Sequence, residues 1–282
     1  MKNSDDSGYT GKHVGVCVLD TGIFSSYRFL QGEYLRFKIS SDIVSDLMMI
    51  ILMEPMYVGS LGGDGRASEG RIRGIAPGCG LIVLKVLDRT GNGRKEDVLQ
   101  AFRWILENKR YYGIRVVNIS VGTTCRRAED HRVLIAGVEQ LWDAGLVVVA
   151  AAGNQGPKAG SVTAPGSSRK IITVGSSDLL TGRTAISGRG PTFECVCKPD
   201  LVAPGNHVLA CAPGADNGYG VKSGTSMSTP LVAGAAALML EKNPELTNVQ
   251  IKMKLKESAR DMGLPKNQQG WGELDLERFM EL

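Results

Sequence analysis

Residues 13–22 read HVGVCVLDTG, a run of mostly apolar, partly β-branched side chains that ends in an aspartate and a turn. Such a run predicts a strand at residues 13–19 that is buried on both faces. Four further short apolar runs have the same character, and Gly, Asp, Asn or Ser bounds each of them. They lie at residues 81–87, 114–119, 146–151 and 171–174.

Segments with apolar residues at helical spacing alternate with these predicted strands. They lie at residues 96–109, 129–144, 226–242 and 248–260, and Thr247 is the expected N-cap of the last one. Alternating strands and helices predict right-handed crossovers and a parallel sheet. We therefore predict an α/β fold, a three-layer, doubly wound, mostly parallel sheet flanked by helices. No linker divides residues 1–282, so we expect a single domain.

The composition excludes several classes of protein. The chain has 282 residues, 43% of them hydrophobic, which is enough for a large core. Its net charge is +4, and no basic cluster is interleaved with aromatic residues, which argues against nucleic-acid binding. No apolar run reaches the roughly 18 residues of a membrane span, and no signal peptide is visible at the start. A cytoplasmic location is expected, unless a leader preceding this sequence has been removed.

Cysteine usage also bears on the compartment. Six cysteines are few for this length, and several lie within apolar runs, so reduced thiols are expected. The closely spaced pair in Cys195-Val196-Cys197 does not match the CxxC spacing of a redox or zinc motif.

Three of the predicted strands end in small polar turns. The first ends in Asp20-Thr21-Gly22, the third is followed by Ser120-Val121-Gly122, and the fourth is followed by Ala152-Gly153-Asn154. In open parallel sheets, ligands bind outside the carboxyl ends of the strands. We therefore expect a functional site where these three turns meet.

A serine block precedes the third predicted helix, and it reads SGTSMSTP at residues 223–230. Glycine before Ser226 allows an unusual backbone, and Pro230 is expected in the first helical turn, where its missing N–H costs little. The helix N-terminus at Ser226 would favour an anion such as an oxyanion. An ordinary N-cap serine would give the same local pattern, and Asp20 and Asn154 taken singly would be ordinary turn residues.

Taken together, four segments resemble the sequence blocks of the subtilisin-like serine proteases. They read VLDTG at residues 18–22, NISVG at 118–122, AAGN at 151–154 and GTSMSTP at 224–230. The segments GIAP at 74–77 and KPDLVAPG at 198–205 extend the likeness over about residues 10–275. The resemblance implies that Ser226 is a nucleophile, that Asp20 orients a catalytic histidine, and that Asn154 donates to the oxyanion.

The same resemblance implies a peptide-binding groove. Three residues, Ser120, Val121 and Gly122, would pair with the substrate backbone as an added strand. Three others, Ala151, Ala152 and Gly153, would line the pocket beside the scissile bond. The implied partner is therefore a polypeptide.

The catalytic histidine is missing from its expected place. The family carries it in an HGTHV box shortly before GIAP, but here the corresponding residues are EPMYV, with Glu54 in the histidine slot. A carboxylate near Asp20 would be a poor base at neutral pH. His13 lies seven residues before Asp20, about 20 Å away along a strand, while His131 falls in a predicted helix and His207 in a turn.

A shifted reading frame would explain this gap. Four of the ten methionines lie within residues 48–56. In the shifted frame, each new codon consists of the third base of one codon and the first two bases of the following codon. The codons of Met48-Met49-Ile50 then necessarily encode Asp-Asp, those of Met53-Glu54 encode Gly and those of Met56-Tyr57 encode Val. Synonymous codons then permit YDDNSHGTHVC over residues 47–58. Our hypothesis is that residues 24–61 are read out of frame between two compensating shifts; a truly diverged segment is the alternative.

Two functions of different classes remain. The first is a serine endopeptidase that acts through an acyl-enzyme on Ser226 and is impaired by the missing base. The second is a non-catalytic pseudoprotease that binds extended peptides. A nucleotide-binding domain is disfavoured, because Gly63-Asp64-Gly65 lacks the third glycine of the fingerprint.

No cofactor is required by either function, although proteins of this family often carry structural calcium. The loop at residues 88–93 is loosely similar to a calcium loop, but Leu99 stands where a bidentate glutamate would fall. The sequence therefore assigns no metal ligands.

Overall fold

The chain folds around a six-stranded, wholly parallel sheet in the order β2-β1-β3-β4-β5-β6. This is a computed structural model, and it describes residues 8–20, 60–63, 65, 73–88, 92–123, 128–211 and 219–282. The strands are β1 Gly15–Asp20, β2 Gly80–Lys85, β3 Ile114–Ile119, β4 Val147–Ala151, β5 Ile172–Ser176 and β6 Leu201–Ala203.

The central strands are covered on both faces. Every residue of β1, β4 and β5 is buried, and so are five of the six residues of β3. Continuous burial of successive residues requires helices above and below the sheet, since neighbouring side chains point to opposite faces. The predicted three-layer α/β class is therefore confirmed. The five predicted strands agree within two residues at each end, whereas the three-residue strand β6 was not predicted.

Six α-helices lie wholly within the described part of the chain, and residues 60–62 and the 3-10 turn Ser177–Leu179 are helical as well. The six α-helices are α1 Lys95–Asn108, α2 Ala128–Asp143, α3 Thr225–Lys242, α4 Asn248–Ser258, α5 Lys266–Gln269 and α6 Leu276–Glu281. α1 packs on α2, where Gly137 lets the Phe102 ring approach the backbone. α3 is buried along nearly its whole length and packs against β3, β4 and β5. No helix among the described residues is long and apolar enough to cross a membrane.

The cap of α4 is the one expected from the sequence. The Thr247 hydroxyl accepts a hydrogen bond from the Gln250 N–H at 3.2 Å, and the Gln250 side chain accepts one from the Thr247 N–H at 2.9 Å. This reciprocal capping box satisfies two N–H groups at the start of the helix. The helix ends at Ser258, two residues before the predicted end.

The start of α3 corrects a prediction. The helix begins at Thr225 after an N-cap at Gly224, so Pro230 lies in the second turn and not in the first. Proline has no N–H for the carbonyl four residues earlier, which is that of Ser226. The Ser120 hydroxyl donates to this carbonyl instead, at 3.3 Å. The proline thus leaves an acceptor that links α3 to the end of β3.

A two-stranded antiparallel hairpin precedes α3. It consists of β7 Val208–Cys211 and β8 Tyr219–Lys222, with Leu209 opposite Val221. Ser223 follows β8 directly, and its hydroxyl donates to the Asn206 side chain at 2.8 Å. The hairpin therefore delivers the chain to the start of α3.

Candidate active site

The predicted site residues gather at the carboxyl edge of the sheet. Asp20 is the last residue of β1 and is 1% exposed. Leu19 is opposite Ile119 in the neighbouring strand β3, so Asp20 and Ser120 leave the sheet at the same level. The Asp20 carbonyl accepts hydrogen bonds from the N–H groups of Val86 and Leu87, at 2.9 and 3.2 Å. These bonds fix the backbone that carries the carboxylate.

Ser226 lies in the first turn of α3 and is half-buried. Its hydroxyl donates to the Ser120 carbonyl oxygen at 2.9 Å. The Asn118 amide in turn donates to the Ser120 hydroxyl at 3.0 Å, which completes a link between β3 and α3. A peptide carbonyl orients the Ser226 proton but does not remove it, so this contact leaves the hydroxyl unactivated.

All three histidines of the chain belong to its described part, and none is hydrogen bonded to Ser226. His13 precedes β1 at the opposite end of the sheet from Asp20. His131 belongs to α2, and His207 lies in the turn before β7, where its backbone N–H donates to the Ser223 hydroxyl at 3.0 Å. Glu54, together with the rest of the segment proposed to be out of frame from residue 24 to 59, lies outside the described residues.

The predicted oxyanion donor is tied to the start of α3. The Asn154 side-chain oxygen accepts from the Thr225 N–H at 3.0 Å and from the Thr225 hydroxyl at 3.2 Å. The same hydroxyl accepts from the Gly153 N–H at 3.1 Å. Thr225 holds the amide oxygen of Asn154, so the amide nitrogen of Asn154 points away from Thr225. Its two N–H groups donate to no other described residue. The sequence identified Asn154 but not Thr225 as its anchor.

Glycine is required at position 224 by both conformation and space. Its φ of 146° is one that L side chains rarely adopt, and a Cβ there would lie 3.0 Å from the Asn154 amide nitrogen. The backbone N–H of Ser226, in the first turn of α3, has no acceptor within the helix. This N–H and the Asn154 amide are therefore two donors available to an anion at the positive end of α3.

Two glycines face a threonine between the predicted substrate-binding segments. A Cβ on Gly122 would lie 2.6 Å from the Thr163 hydroxyl oxygen, and one on Gly153 would lie 2.3 Å from it. The backbone holds this arrangement, since the Thr163 N–H donates to the Ala152 carbonyl at 3.0 Å and the Thr123 N–H donates to the Ala164 carbonyl at 2.9 Å. Thr163 thus packs directly against Gly122 and Gly153, and a side chain on either glycine would collide with it.

The KPD block contains a buried ion cluster whose role was not predicted. Lys198 is 1% exposed, and its ammonium donates to the Asp200 carboxylate at 2.5 Å and to the Ile171 carbonyl at 3.0 Å. The Lys252 ammonium lies 3.4 Å from the other Asp200 oxygen. Burial lowers the pKa of Lys198 to about 8, and the nearby Asp200 opposes that shift. In the sequence, the cluster is visible only as Lys198 and Asp200 directly before a short buried strand.

The loop considered for calcium closes on itself. The Asp88 carboxylate accepts from the Asn92 N–H at 3.0 Å, and the Asp88 N–H donates to the Asn92 carbonyl at 2.7 Å. In the parts of the chain that the structure describes, no three His, Cys, Asp or Glu side chains are grouped so as to hold a metal ion. Residues 89–91 of this loop, and residue 64 of the glycine pair considered for nucleotides, lie outside the description.

Comparison with known proteins gives a consistent picture. Residues 56–272 match the model of the subtilase family, a range that begins after Asp20 and includes Asn154 and Ser226. The chain is 35% identical over 279 residues to the serine protease AprX of Bacillus subtilis strain 168, with 88% of this chain and 61% of that protein covered. It is 32% identical over 267 residues to a subtilisin of Bacillus pumilus, with 91% and 87% covered.

Solved structures agree with these sequence matches. Sphericase superposes with a TM-score of 0.75 at 25% identity, covering 94% of this chain and 92% of that one. A cold-adapted subtilisin-like serine proteinase superposes with a TM-score of 0.69 at 27% identity, covering 95% and 88%. The chain thus spans most of each solved domain, although it spans only about three fifths of AprX.

Proposed function

Because the chain belongs to the subtilase family, we propose that it is a serine endopeptidase by descent, with Ser226 as its nucleophile. We propose further that this chain is strongly impaired, because none of its three histidines is hydrogen bonded to that serine. The reaction class is hydrolysis of peptide bonds through an acyl-enzyme. Asp20 would orient the base, and Asn154 would donate to the oxyanion.

One observation carries the proposal: the hydrogen-bonded junction of Asn154, Thr225 and Ser226 at the start of α3. It places a hydroxyl, a backbone N–H and a side-chain amide at the positive end of one helix. A tetrahedral intermediate carries its negative charge on an oxygen next to the attacked carbon, so a nucleophile with adjacent donors suits acyl transfer. An ordinary N-cap serine would not need Asn154 fixed 71 residues away in the sequence.

Impairment follows from proton transfer. The Ser226 hydroxyl donates to a carbonyl, and none of the three imidazoles of the chain is bonded to it. In a subtilisin, removal of the catalytic histidine alone lowers turnover by roughly 10⁶-fold, and what remains comes from the oxyanion hole and substrate binding. That measured loss in a family relative sets the scale expected for this chain.

A second candidate is a pseudoprotease that binds extended peptides. The observation that favours it is the intact backbone of the groove, in which Thr123 bonds Ala164 and Thr163 bonds Ala152 without any contribution from a base. Strand addition needs backbone edges and side-chain pockets but no base. In this case peptides would bind and dissociate without forming a bond to Ser226.

Slow acetylation of Ser226 distinguishes the impaired peptidase from the pseudoprotease. Incubation with p-nitrophenyl acetate, whose leaving group needs no protonation, is expected to acetylate Ser226, since the two anion donors persist without a base. Mass spectrometry of proteolytic fragments locates the acetyl group, and Ser226→Ala is expected to abolish it. Binding of an extended peptide, followed by calorimetry, is expected to be the same in both proteins.

Acetylation confined to other residues would contradict the assignment of Ser226 as nucleophile. Peptide binding with no acetylation of Ser226 would favour the pseudoprotease. Peptide cleavage that persists in Ser226→Ala would exclude both candidate functions.

A further inference from the structure

A short hairpin carries two cysteines on the surface of the molecule. The Gly190 N–H donates to the Lys198 carbonyl at 2.8 Å, and the Thr192 N–H donates to the Val196 carbonyl at 2.9 Å. The three residues between Thr192 and Val196 form its tip, closed by a bond from the Cys195 N–H to the Thr192 carbonyl at 2.9 Å. We call residues 190–198 the dithiol hairpin.

The thiols of this hairpin differ in environment from the two other cysteines whose side chains the structure describes. Cys195 and Cys197 are exposed, whereas Cys17 and Cys79 are buried. Burial raises the pKa of the Cys79 thiol to about 12 and raises that of Cys17 as well, so neither forms a reactive thiolate under ordinary conditions. Of these four thiols, the two of the hairpin are therefore the ones that redox reagents in solution can reach.

Backbone hydrogen bonds hold the residue between the two cysteines. Val196, which separates them, is bonded to Thr192 through both its carbonyl and its N–H, the latter at 3.2 Å to the Thr192 hydroxyl. The Cα atoms of residues two apart in any chain lie at most about 7 Å apart. Disulfides form at Cα separations of about 4.4–6.8 Å.

Cys195 also bends the segment. Its φ is 57°, in the left-handed region that is usual for glycine at the last tip residue of a three-residue hairpin. A residue other than glycine is uncommon at this position. Here the residue is a cysteine, and a second cysteine follows two residues later.

We propose that Cys195 and Cys197 form a reversible redox dithiol that closes into an intrachain disulfide by exchange with a small-molecule disulfide such as oxidised glutathione. One thiolate attacks a sulfur of the reagent and releases one thiolate of glutathione, leaving a mixed disulfide. The second thiol, after losing its proton, attacks the protein sulfur and releases the second glutathione. The dithiol is oxidised by two electrons, and the reagent is reduced to two thiols.

The small ring makes this disulfide labile. A bridge across a single residue departs from relaxed disulfide geometry, and strained, exposed disulfides are reduced more readily than buried structural ones. The hairpin base is held independently, because the Gly190 carbonyl accepts from the Asn267 side chain at 3.1 Å. Closure is therefore expected to remain local and to leave the rest of the fold unchanged.

The test uses the full chain with Cys125→Ser and Cys211→Ser, which removes the two cysteines whose side chains are not described. The folded protein is treated with oxidised glutathione, then with iodoacetamide, and its intact mass is measured. The expected result is loss of two hydrogens with no bound glutathione and no alkylation at the hairpin. Excess reduced glutathione is expected to restore two alkylated thiols.

Two matched variants identify the mechanism. Cys195→Gly, which suits the observed φ, and Cys197→Ser are each expected to stop at one bound glutathione, and an unchanged thermal transition shows that they are folded. The proposal would be overturned if the protein that keeps both hairpin cysteines also stops at bound glutathione, forms a disulfide-linked dimer or does not react. A bridge that excess reduced glutathione fails to open would also overturn it.

Discussion

Replacing residues 24–61 by the shifted-frame reading of their own codons is expected to raise peptide hydrolysis by roughly 10⁶-fold. That reading would place a histidine in an HGTHV box near position 54, and the family pattern puts this histidine within reach of Asp20 and Ser226. An imidazole would accept the proton of the Ser226 hydroxyl, which now makes a hydrogen bond to the Ser120 carbonyl. The measurement is kcat/KM for a chromogenic peptide at neutral pH.

Two controls accompany this prediction. Ser226→Ala in the restored protein is expected to return activity to the level of the present chain. Glu54→His alone carries the histidine without its surrounding box and is expected to gain far less. A restored protein that folds but gains no activity would contradict the account of impairment. Stop codons in the shifted frame of the coding DNA would contradict the frameshift itself.

The substitution Asp200→Asn is expected to lower the free energy of unfolding by about 3–5 kcal/mol. Asn keeps the size of the side chain but removes the negative charge that faces two lysines. Lys198 is 1% exposed, so its charge would remain in the interior without a counter-ion. Urea unfolding followed by circular dichroism measures the change.

An exposed pair supplies the matched control. Asp143→Asn breaks an ion pair with Lys170 of 2.8 Å, but the Asp143 side chain is 60% exposed, so a loss below about 1 kcal/mol is expected. A loss for Asp200→Asn as small as that for Asp143→Asn would show that the buried cluster does not hold its charges as described.

The pH dependence of Asp200→Asn follows from Lys198. Its folded pKa of about 8 lies below the ordinary 10.5, so between these values the unfolded chain binds more protons and stability rises with pH. Without Asp200 the folded pKa falls further, so the variant recovers as pH rises towards 8. Above pH 9 the buried thiols act in the opposite sense, because the pKa of Cys79 is raised from 9.0 to about 12. The deficit of the variant is therefore expected to be largest at acidic pH.

The fold was readable from the sequence because its signals are local. Buried parallel strands are continuous apolar runs, and the N-cap residue Thr247 predicted the start of helix α4. Strand β6 was missed because three residues are too short a run to distinguish from a loop. The start of α3 was misplaced by one residue, since the bond from Thr225 to Asn154 that fixes it joins residues 71 apart.

The site was readable only in part. Family blocks indicated Asp20, Asn154 and Ser226, but the contact of Ser226 with Ser120 spans 106 residues and has no local pattern. Thr163 was expected near the base of the substrate pocket from its place beside Ala164-Pro165-Gly166, but its close approach to two glycines could not be read from the sequence. Lys198 and Asp200 would ordinarily be assigned to the surface, because their burial depends on strands and helices distant in the sequence.

The most direct test of the account is peptide hydrolysis by the purified chain, compared with its Ser226→Ala variant. The two proteins are incubated with the same chromogenic peptide at neutral pH, and initial rates are measured. The account predicts equal rates, roughly 10⁶-fold below that of an intact triad, because none of the three histidines of the chain is hydrogen bonded to Ser226. Rapid hydrolysis that disappears in Ser226→Ala would contradict it and would show that another group in this chain takes the serine proton.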